Sequence, residues 1–204
     1  MSKTIWDKFA PIYSLTMKSQ KNIYNYMYSH IGEAVTGKNV LELATGPGMI
    51  AKHIADKATF VTATDFSPDM IAQAKKGNNP VNLTFEIADA GDLQYEDKAF
   101  DIVIIANALH VVPNPEKVLS EIDRVLVDGG LLICPTFIHR TAEKKENLWA
   151  KILKLVGIHF EHQWTAKEFS DFIESNGWKI IASKVVPGRI DLMYAECVRQ
   201  YGGK

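Results

Sequence analysis

Val40–Ala51, the stretch V-L-E-L-A-T-G-P-G-M-I-A, predicts a buried strand, then a glycine turn, then the start of a helix. Its first residues are mainly aliphatic, which is typical of a strand covered on both faces. Gly46 and Gly48 lack a Cβ atom, so the backbone can turn sharply there and come close to a ligand. The N–H groups at the start of the next helix have no partner within that helix, and this arrangement favours a site for a polar small molecule.

An acidic residue in this strand indicates the charge of the ligand. Gly46–Ala51 fits the dinucleotide pattern G-x-G-x-x-A, but many ordinary turns contain G-x-G. Glu42 lies inside the apolar strand, where a carboxylate is costly unless it has a partner. A carboxylate there would repel a pyrophosphate and attract an ammonium group. The ligand is therefore predicted to carry a positive amine rather than a phosphate.

Seven segments of the chain have the composition of strands, and most of them alternate with helices. This alternation predicts an α/β fold, a Rossmann-like doubly wound sheet of about seven strands. The sheet is expected to be mostly parallel, with one antiparallel strand near the C-terminus because the last two segments form a hairpin. The predicted strands are Val40–Ala44, Thr59–Asp65, Val81–Ala88, Phe100–Ala106, Leu131–Phe137, Trp178–Val186 and Ile190–Val198.

Capping residues mark the helices between these strands. Ser67 and Thr165 are predicted N-caps, the second with Glu168 at the capping-box position. Asp128-Gly129-Gly130 is predicted to stop one helix and Gly177 another. The predicted helices are Pro47–Lys57, Pro68–Lys76, Pro115–Val127 and a helix that follows Thr165 and ends near Ser175.

The chain of 204 residues is predicted to form one domain with four parts. Residues 1–36 are rich in aromatic side chains and broken by Pro11, and they predict a helical lid. Residues 38–137 form the half with the glycine turn. Residues 138–164 are a helical insertion with a helix near Ala142–Val156, and residues 165–204 form the C-terminal helix and hairpin.

The composition argues against several classes of protein. The net charge is -1 and there is no dense stripe of Lys and Arg, so no nucleic-acid partner is expected. Cys134 and Cys197 have neither metal-binding nor redox spacing. No signal peptide is apparent, and Phe100–Val112, the longest apolar run, is too short to span a bilayer. A cytoplasmic protein without a transmembrane segment is expected.

Acidic residues stand at the ends of three consecutive predicted strands. In an open α/β sheet, ligands bind beyond the carboxyl ends of the strands. Glu42 lies near the end of the first strand, Asp65 ends the second and Asp89 ends the third. Asp65 can accept both ribose hydroxyl protons, and Asp89 can accept from an exocyclic amine of a purine. Together with the glycine turn, these residues predict a nucleoside site.

Four motifs in order carry a family resemblance. They are E-L-A-T-G-P-G from Glu42, D-F-S-P-D-M from Asp65, I-A-D-A-G-D-L from Ile87 and N-A-L-H-V-V-P-N-P from Asn107. As a set they resemble class I S-adenosylmethionine-dependent methyltransferases. The nearest group is the small-molecule enzymes of the ubiquinone and menaquinone type, whose opening D-x-F-A-P-x-Y is matched from Asp7 to Tyr13. The resemblance covers most of the chain and weakens across 139–164.

The resemblance implies an S-adenosylmethionine cofactor, S-adenosylhomocysteine as its product and in-line transfer of a methyl group. Gly46 and Gly48 would flank the methionine part of the cofactor, with Glu42 at its amino end. Phe66 and Met70 would pack on the adenine. The full set of implied cofactor residues is Tyr13, Glu42, Ala44, Thr45, Gly46, Gly48, Asp65, Phe66, Ser67, Met70, Asp89, Ala90, Asn107 and Ala108.

One position departs from the family pattern. Ala44 stands where the family's motif E-x-G-x-G-x-G has its first glycine. If the φ angle there is negative, alanine should have little effect. If the position needs a positive φ, affinity for the cofactor should suffer.

The acceptor is predicted to be a small molecule, and its identity stays open along with the atom methylated. No catalytic residue is assigned, but His110 and Tyr13 are candidates for a base; His110 can equally pack or cap a helix start. The predicted acceptor pocket contains Tyr13, His110, His139 and Trp164. His159-Phe-Glu161-His162 resembles part of a zinc site, but no third ligand set at matching spacing is evident, so no metal is expected.

Two other functions remain open at this stage. The glycine turn and Asp65 also satisfy the fingerprint of an NAD-dependent oxidoreductase. A non-catalytic cofactor-binding regulator could use the same fold. Asn107-Ala-Leu-His110 differs from the N-P-P-Y type of motif, which points away from adenine in DNA or RNA as the acceptor. A monomer or a homodimer is expected.

Overall fold

A computed structural model describes residues 20–139 and 162–200. Within these ranges the chain forms five α-helices and eight strands, and all the strands belong to one sheet. The helices are α1 (Lys21–Ala34), α2 (Met49–Ile54), α3 (Pro68–Ala74), α4 (Pro115–Val125) and α5 (Ala166–Ser175). The strands are β1 (Asn39–Leu43), β2 (Phe60–Asp65), β3 (Leu83–Ile87), β4 (Phe100–Ile105), β5 (Leu126–Ile133), β6 (Thr136–Ile138), β7 (Trp178–Val186) and β8 (Asp191–Arg199).

The sheet has the order β3-β2-β1-β4-β5-β8, with β7 on the outer side of β8. The strands β1 to β5 pair in parallel, and β8 runs antiparallel to β5, β6 and β7. β6 continues the line of β5 along β8 after a break at Cys134-Pro135, because proline has no N–H for the ladder. This architecture confirms the expected mostly parallel sheet with one antiparallel strand.

The strand order reverses between β1 and β4. From β1 the chain first builds outward to β2 and β3, and it then returns to place β4 on the other side of β1. A crevice opens at such a reversal, at the carboxyl ends of the two strands, and ligands bind there in open α/β sheets. The loops that follow β1 and β4 therefore meet at one place.

Apolar side chains cover both faces of the sheet. Ile23, Met27 and Ile31 of α1 are fully buried on the face that also carries α2 and α3. Phe169 and Ile173 of α5 are fully buried on the opposite face, beneath which α4 also packs. Each such side chain contributes about 1.5–3 kcal/mol of burial free energy. The two layers hold the strand ends, and so the crevice, in fixed positions.

Side-chain caps fix the beginnings of the helices as the sequence predicted. The Ser67 hydroxyl accepts a hydrogen bond of 3.1 Å from the Met70 N–H at the start of α3. At the start of α5, the Glu168 N–H donates to the Thr165 hydroxyl at 3.2 Å and the Thr165 N–H donates to the Glu168 carboxylate at 2.8 Å. This reciprocal capping box confirms the predicted start of α5.

Several predicted helix bounds were wrong. α2 ends at Ile54 rather than Lys57, and α3 ends at Ala74 rather than Lys76. α4 ends at Val125 rather than Val127, and Leu126 already pairs with Phe100 in the sheet. Gly129 and Gly130 do not stop the helix but lie within β5, where the register against β4 shifts. α2 begins at Met49 rather than Pro47, because Gly48 adopts a left-handed conformation as its N-cap.

Parts of the predicted lid and insertion cannot be compared with the structure. Residues 1–19 of the lid, including Tyr13, and the predicted helix near Ala142–Val156 lie outside the described residues. In the two described ranges, no helix combines the length and the apolar character needed to cross a membrane.

Candidate functional site

The glycine turn after β1 packs closely against β2 and β3. The Thr45 N–H donates to the Thr64 carbonyl at 2.8 Å, and the Gly48 N–H donates to the Thr45 carbonyl at 3.1 Å. Gly48 has a φ of 78°, and a Cβ atom there would lie 2.7 Å from the Phe85 ring. Only glycine can adopt this φ angle and fit against the Phe85 ring. The structure therefore agrees with the prediction that the backbone turns sharply at Gly48.

Ala44 has a φ of 52°, so the position adopts the positive φ for which the sequence analysis expected a loss of cofactor affinity. In the left-handed region the Cβ of an L-residue crowds the following carbonyl oxygen, at a cost of roughly 1–2 kcal/mol. The strain arises because the chain must leave β1 and turn at once into the glycine loop. Ala44 is therefore held in a conformation that the family's usual glycine adopts more easily.

Replacing Ala44 with glycine should stabilise the protein. The change removes the left-handed strain but adds freedom to the unfolded chain, so we expect a net gain of about 1 kcal/mol and a rise in melting temperature of about 2–4 °C. Thermal unfolding of the two proteins measures the difference. Ala63→Gly in β2 is the control, since Ala63 is an alanine of the neighbouring strand that has no positive φ, and this change should lower the melting temperature. A fall with Ala44→Gly would contradict the strain argument.

Asp65 ties the glycine turn to the end of β2. One carboxylate oxygen, Oδ2, accepts a hydrogen bond of 2.8 Å from the Gly46 N–H, and Oδ1 accepts one of 2.9 Å from the Ser67 N–H. Each carboxylate oxygen carries two lone pairs, so one backbone bond does not saturate it. Asp65 thus organises the loop in addition to facing the crevice end of the sheet, a role that the sequence did not predict.

Glu42 is a buried carboxyl group at the end of β1. Its exposed fraction is 2%, and among the described residues its Oε2 atom has no hydrogen-bond partner. Burial is the main reason why the pKa of Glu42 is raised to about 8. Polar contacts with the Thr45 side chain and the Ala51 backbone oppose this rise, and the nearby charge of Asp65 adds to it. Buried polar atoms without a partner are rare in folded proteins. The unpaired Oε2 therefore indicates that a ligand provides the partner.

Asn107 presents a second unpaired oxygen at the neighbouring strand end. It follows β4, which pairs with β1 so that Glu42 lies opposite Ile104. Its N–H donates to the Pro135 carbonyl at 2.8 Å, and its φ is 54°. Its buried Oδ1 atom has no hydrogen-bond partner within the part of the chain that the structure describes. Asparagine tolerates this left-handed conformation better than most residues. The crevice between β1 and β4 thus holds two buried acceptor atoms that need a donor.

The end predicted to bind adenine is more open. Phe66 is 60% exposed, whereas Met70, which follows it in the chain, is only 2% exposed. Asp89 is exposed, and its Oδ1 accepts a hydrogen bond of 2.8 Å from the Gly91 N–H in a local turn. The structure leaves the ring of Phe66 available to stack on a planar ligand.

The other predicted cofactor residues lie along the same strand ends. They follow β1, β2, β3 or β4 directly, or sit in the loops between those strands and the next helices. Buried among them are Thr45, Gly46, Gly48, Ser67 and Ala108, whereas Ala44, Ala90 and Asn107 are half-buried. Tyr13 lies outside the described residues.

Three of the four residues predicted for the acceptor pocket come together beyond the end of β4. His110 is 4% exposed, and its ring meets the Phe137 ring edge-on with centroids 5.9 Å apart. The His139 N–H donates to the Trp164 carbonyl at 2.8 Å. His162 joins this group because its N–H donates to the His110 carbonyl at 3.1 Å.

His110 is a poor base in these surroundings. The pKa of His110 is lowered to about 3, mainly by burial and in addition by the neighbouring His139 and His162. At neutral pH its imidazole is therefore uncharged and binds a proton only weakly. A general base works best with a pKa near the operating pH, so burial weighs against the predicted role of His110 in proton removal.

A metal site has no support in the described residues. Within 20–139 and 162–200, no three His, Cys, Asp or Glu side chains are grouped so that they could hold a metal ion. Of the segment that resembled part of a zinc site, His159 and Glu161 lie outside these ranges.

Tyr28 is a residue of this region that the sequence did not single out. Its ring stacks on His53 of α2 with centroids 4.1 Å apart. Burial raises the pKa of Tyr28, and the charge of Glu42 raises it further, which places the phenol near that carboxylate. The lid therefore reaches the methionine end of the predicted cofactor site through α1. Only the aromatic periodicity of the lid hinted at this position.

Known proteins share both sequence and fold with this chain. Residues 41–134 match the methyltransferase domain family. The demethylmenaquinone methyltransferase of Renibacterium salmoninarum is 33% identical over 142 residues, which are 67% of this chain and 59% of that protein. The chain therefore spans about three-fifths of the length of this curated relative.

Solved structures give the same fold at low identity. One is a chain in the complex between the Haloferax volcanii Trm112 methyltransferase activator and a methyltransferase, with 17% identity, a TM-score of 0.77 and coverage of 96% of this chain and 98% of that chain. Another is the complex of DhpI with SAH, with 22% identity, a TM-score of 0.75 and coverage of 97% and 94%. These likenesses support the architecture described above.

Proposed function

The chain carries a class I methyltransferase domain of the ubiquinone and menaquinone type, and we propose that it transfers a methyl group from S-adenosylmethionine to a small-molecule acceptor. The transfer is an in-line displacement that leaves S-adenosylhomocysteine. The matching relative is named for demethylmenaquinone, a small molecule, and this supports a small-molecule acceptor here. We propose a monomer or a homodimer as the working unit.

The pair of unpaired oxygens in the crevice carries this proposal. Glu42 Oε2 and Asn107 Oδ1 are both buried acceptors without a partner, at the ends of adjacent parallel strands. An ammonium group brings three N–H donors and a positive charge, which satisfy both atoms. The amino end of S-adenosylmethionine is such a group. A dinucleotide pyrophosphate brings no N–H donor to these two atoms, and the ionised form of Glu42 would repel it, so an NAD-dependent oxidoreductase is not supported.

The remaining residues fit the rest of the cofactor. We propose that Asp65 accepts from the ribose hydroxyls, that the exposed ring of Phe66 stacks on the adenine and that Met70 packs below it. Asp89 would accept from the amino group of adenine, near Ala90. These assignments follow the ends of β2 and β3 in the order of the sheet, as expected for a ligand lying across the carboxyl edge.

The cofactor, when bound, supplies a methyl group on a positively charged sulfur. Charge on that sulfur disappears as the new bond forms, so the protein gains most from alignment and from excluding water. Asn107 and Ala108 would line the methionine side and fix its direction. The side chains beyond β4 would hold the acceptor in line, since His110 and its neighbours lie directly after these residues.

A thermal-shift series tests the proposed cofactor. S-adenosylmethionine or S-adenosylhomocysteine at ~100 times its dissociation constant should add about 2.7 kcal/mol of stability. For a domain of this size, the melting temperature should then rise by roughly 5–10 °C. NADH and NADPH serve as controls and should cause no rise. A rise with a nicotinamide cofactor, or no rise with either adenosyl ligand, would contradict the proposal.

A further inference from the structure

A cavity of about 230 Å³ lies at the edge of the sheet opposite the crevice. Its wall includes Leu126 at the start of β5, Trp178 at the start of β7 and Arg199 at the end of β8. β4, β5 and β7 run in one direction and β8 runs against them, so these residues lie at the amino ends of the parallel strands. The cavity is therefore separate from the proposed cofactor site, which lies at the carboxyl ends.

An irregularity in β5 builds one side of this cavity. The register between β4 and β5 shifts between Phe100 and Ile102, and the extra residues of β5, 127–130, loop out there. Most of these residues line the cavity. A Cβ atom on Gly130 would lie 2.9 Å from the Val127 carbonyl oxygen, so the loop keeps its shape only with glycine at that position. Irregular strand segments of this kind are common beside functional sites.

Trp178 carries a buried donor that lacks an acceptor. Its side chain is 1% exposed, and among the described residues its Nε1–H group has no hydrogen-bond partner. An indole N–H group can only donate, and a buried one calls for an acceptor. Because Trp178 is part of the cavity wall, a molecule in the cavity can supply that acceptor.

Arg199 provides a second open donor beside this indole. Its Nε atom lies 3.3 Å from Asp123, and its Nη1 atom donates to the Asn176 carbonyl at 2.7 Å. Within the described part of the chain, its Nη2 atom makes no hydrogen bond. The guanidinium carbon lies over the Trp178 ring, 5.7 Å from the ring centroid. Two open donors, one of them cationic, are therefore neighbours.

The carboxylates of the cavity wall do not oppose an anion. Each is paired with a cation of the wall, in the pairs Lys98–Asp128 at 2.7 Å, Arg124–Asp97 at 2.9 Å and Arg199–Asp123 at 3.3 Å. Cations and carboxylates are equal in number along the wall, so their charges cancel. An anion that accepts from the two open donors gains charge-assisted hydrogen bonds without meeting a net negative charge.

We propose that this cavity binds a small organic carboxylate with an apolar body, whose oxygen atoms accept hydrogen bonds from Trp178 Nε1 and Arg199 Nη2. The open groups are donors only, so the ligand must bring acceptors, and the guanidinium favours a carboxylate over a neutral oxygen. Leu126 and the Trp178 ring are apolar parts of the wall and favour an apolar body. The proposal is independent of the proposed methyl transfer, because the two sites lie at opposite edges of the sheet.

Benzoate and benzamide, which have nearly the same shape but differ in charge, test this site in the full chain without cofactor. NMR of the indole N–H groups reports contact at Trp178 directly, and the absence of one signal in Trp178→Phe assigns it. Benzoate should move the Trp178 signal and bind at least about tenfold more tightly than benzamide. Inorganic phosphate has charge but no apolar body and should bind more weakly than benzoate. Binding of phosphate as tight as that of benzoate would overturn the choice of an organic carboxylate.

Variants of Arg199 test the cationic donor. Arg199→Gln should bind benzoate at least about tenfold more weakly and no better than benzamide, whereas Arg199→Lys should recover part of the preference. Arg189→Gln is the control, because Arg189 is exposed and precedes the other end of β8, and it should behave as the wild type. A benzoate response confined to the other indole signals, or an unchanged affinity in Arg199→Gln, would overturn the proposal and leave water as the partner of the Trp178 N–H group.

Discussion

Replacing Asp65 with alanine should lower the affinity for S-adenosylhomocysteine by at least about 100-fold. The change removes the carboxylate that we propose for the ribose hydroxyls, and hydrogen bonds to a charged group contribute about 1.5–3 kcal/mol each. It also removes the acceptor of the Gly46 and Ser67 N–H groups, so the glycine turn loses its link to β2. We therefore expect a loss of about 1–3 kcal/mol in the free energy of unfolding as well. Calorimetry and denaturant unfolding measure the two effects.

Two further variants separate ribose binding from the organisation of the loop. Asp65→Asn keeps one acceptor oxygen, so it should recover part of the stability but little of the affinity. Asp69→Ala removes a carboxylate in the first turn of α3 and should leave the affinity unchanged. Adenosine has the ribose but no methionine part. Its affinity should fall from the wild type to Asp65→Ala by about the same factor as that of S-adenosylhomocysteine. Full affinity of Asp65→Ala for adenosine would show that the ribose is held elsewhere.

The sequence predicted the fold because it depends on local rules, and the proposed position of the site follows from the same rules. Buried parallel strands have continuous aliphatic runs, and capping residues such as Ser67 and Thr165 act through bonds to residues three positions away. The reversal of strand order that creates the crevice follows from the alternation of strands and helices. Glu42, Asp65 and Asn107 then fall at strand ends without further information.

Other features of the site depend on contacts between distant segments. Alanine at position 44 gives no sign of its positive φ, because the strain comes from the path of the turn. The end of α4 shifted because Leu126 gains a strand partner in Phe100, and Gly129 bulges rather than stopping the helix. The uncharged state of His110 follows from burial beside His139 and His162, which come from distant parts of the chain. None of these contacts is encoded within a short stretch of sequence.

Replacing Glu42 with glutamine should make the protein more stable than the wild type at alkaline pH. The pKa of Glu42 is about 8 in the folded protein and near 4.5 when unfolded. Between these values the unfolded chain loses its proton while the folded chain keeps it, so the wild type loses about 1.4 kcal/mol of stability per pH unit. The total loss is of the order of several kcal/mol by about pH 8 and is absent below about pH 4.5. Glutamine does not titrate. Denaturant unfolding should therefore give the variant a higher free energy of unfolding than the wild type near pH 8.5, and the two should differ less near pH 5.

The same substitution should impair binding of a ligand that carries an ammonium group. Pairing with a cation favours the ionised form of Glu42, so binding of S-adenosylhomocysteine should release a proton near pH 7 and tighten as the pH rises from about 6 to 7.5. Glu42→Gln should bind this ligand at least about 100-fold more weakly and release no proton from this site. Calorimetry in two buffers of different ionisation enthalpy counts the protons. Adenosine has no ammonium group, so its affinity should be the same for both proteins. Asp65→Ala should weaken the binding of both ligands, whereas Glu42→Gln should weaken the binding of S-adenosylhomocysteine alone. This contrast assigns the two carboxylates to opposite ends of the cofactor.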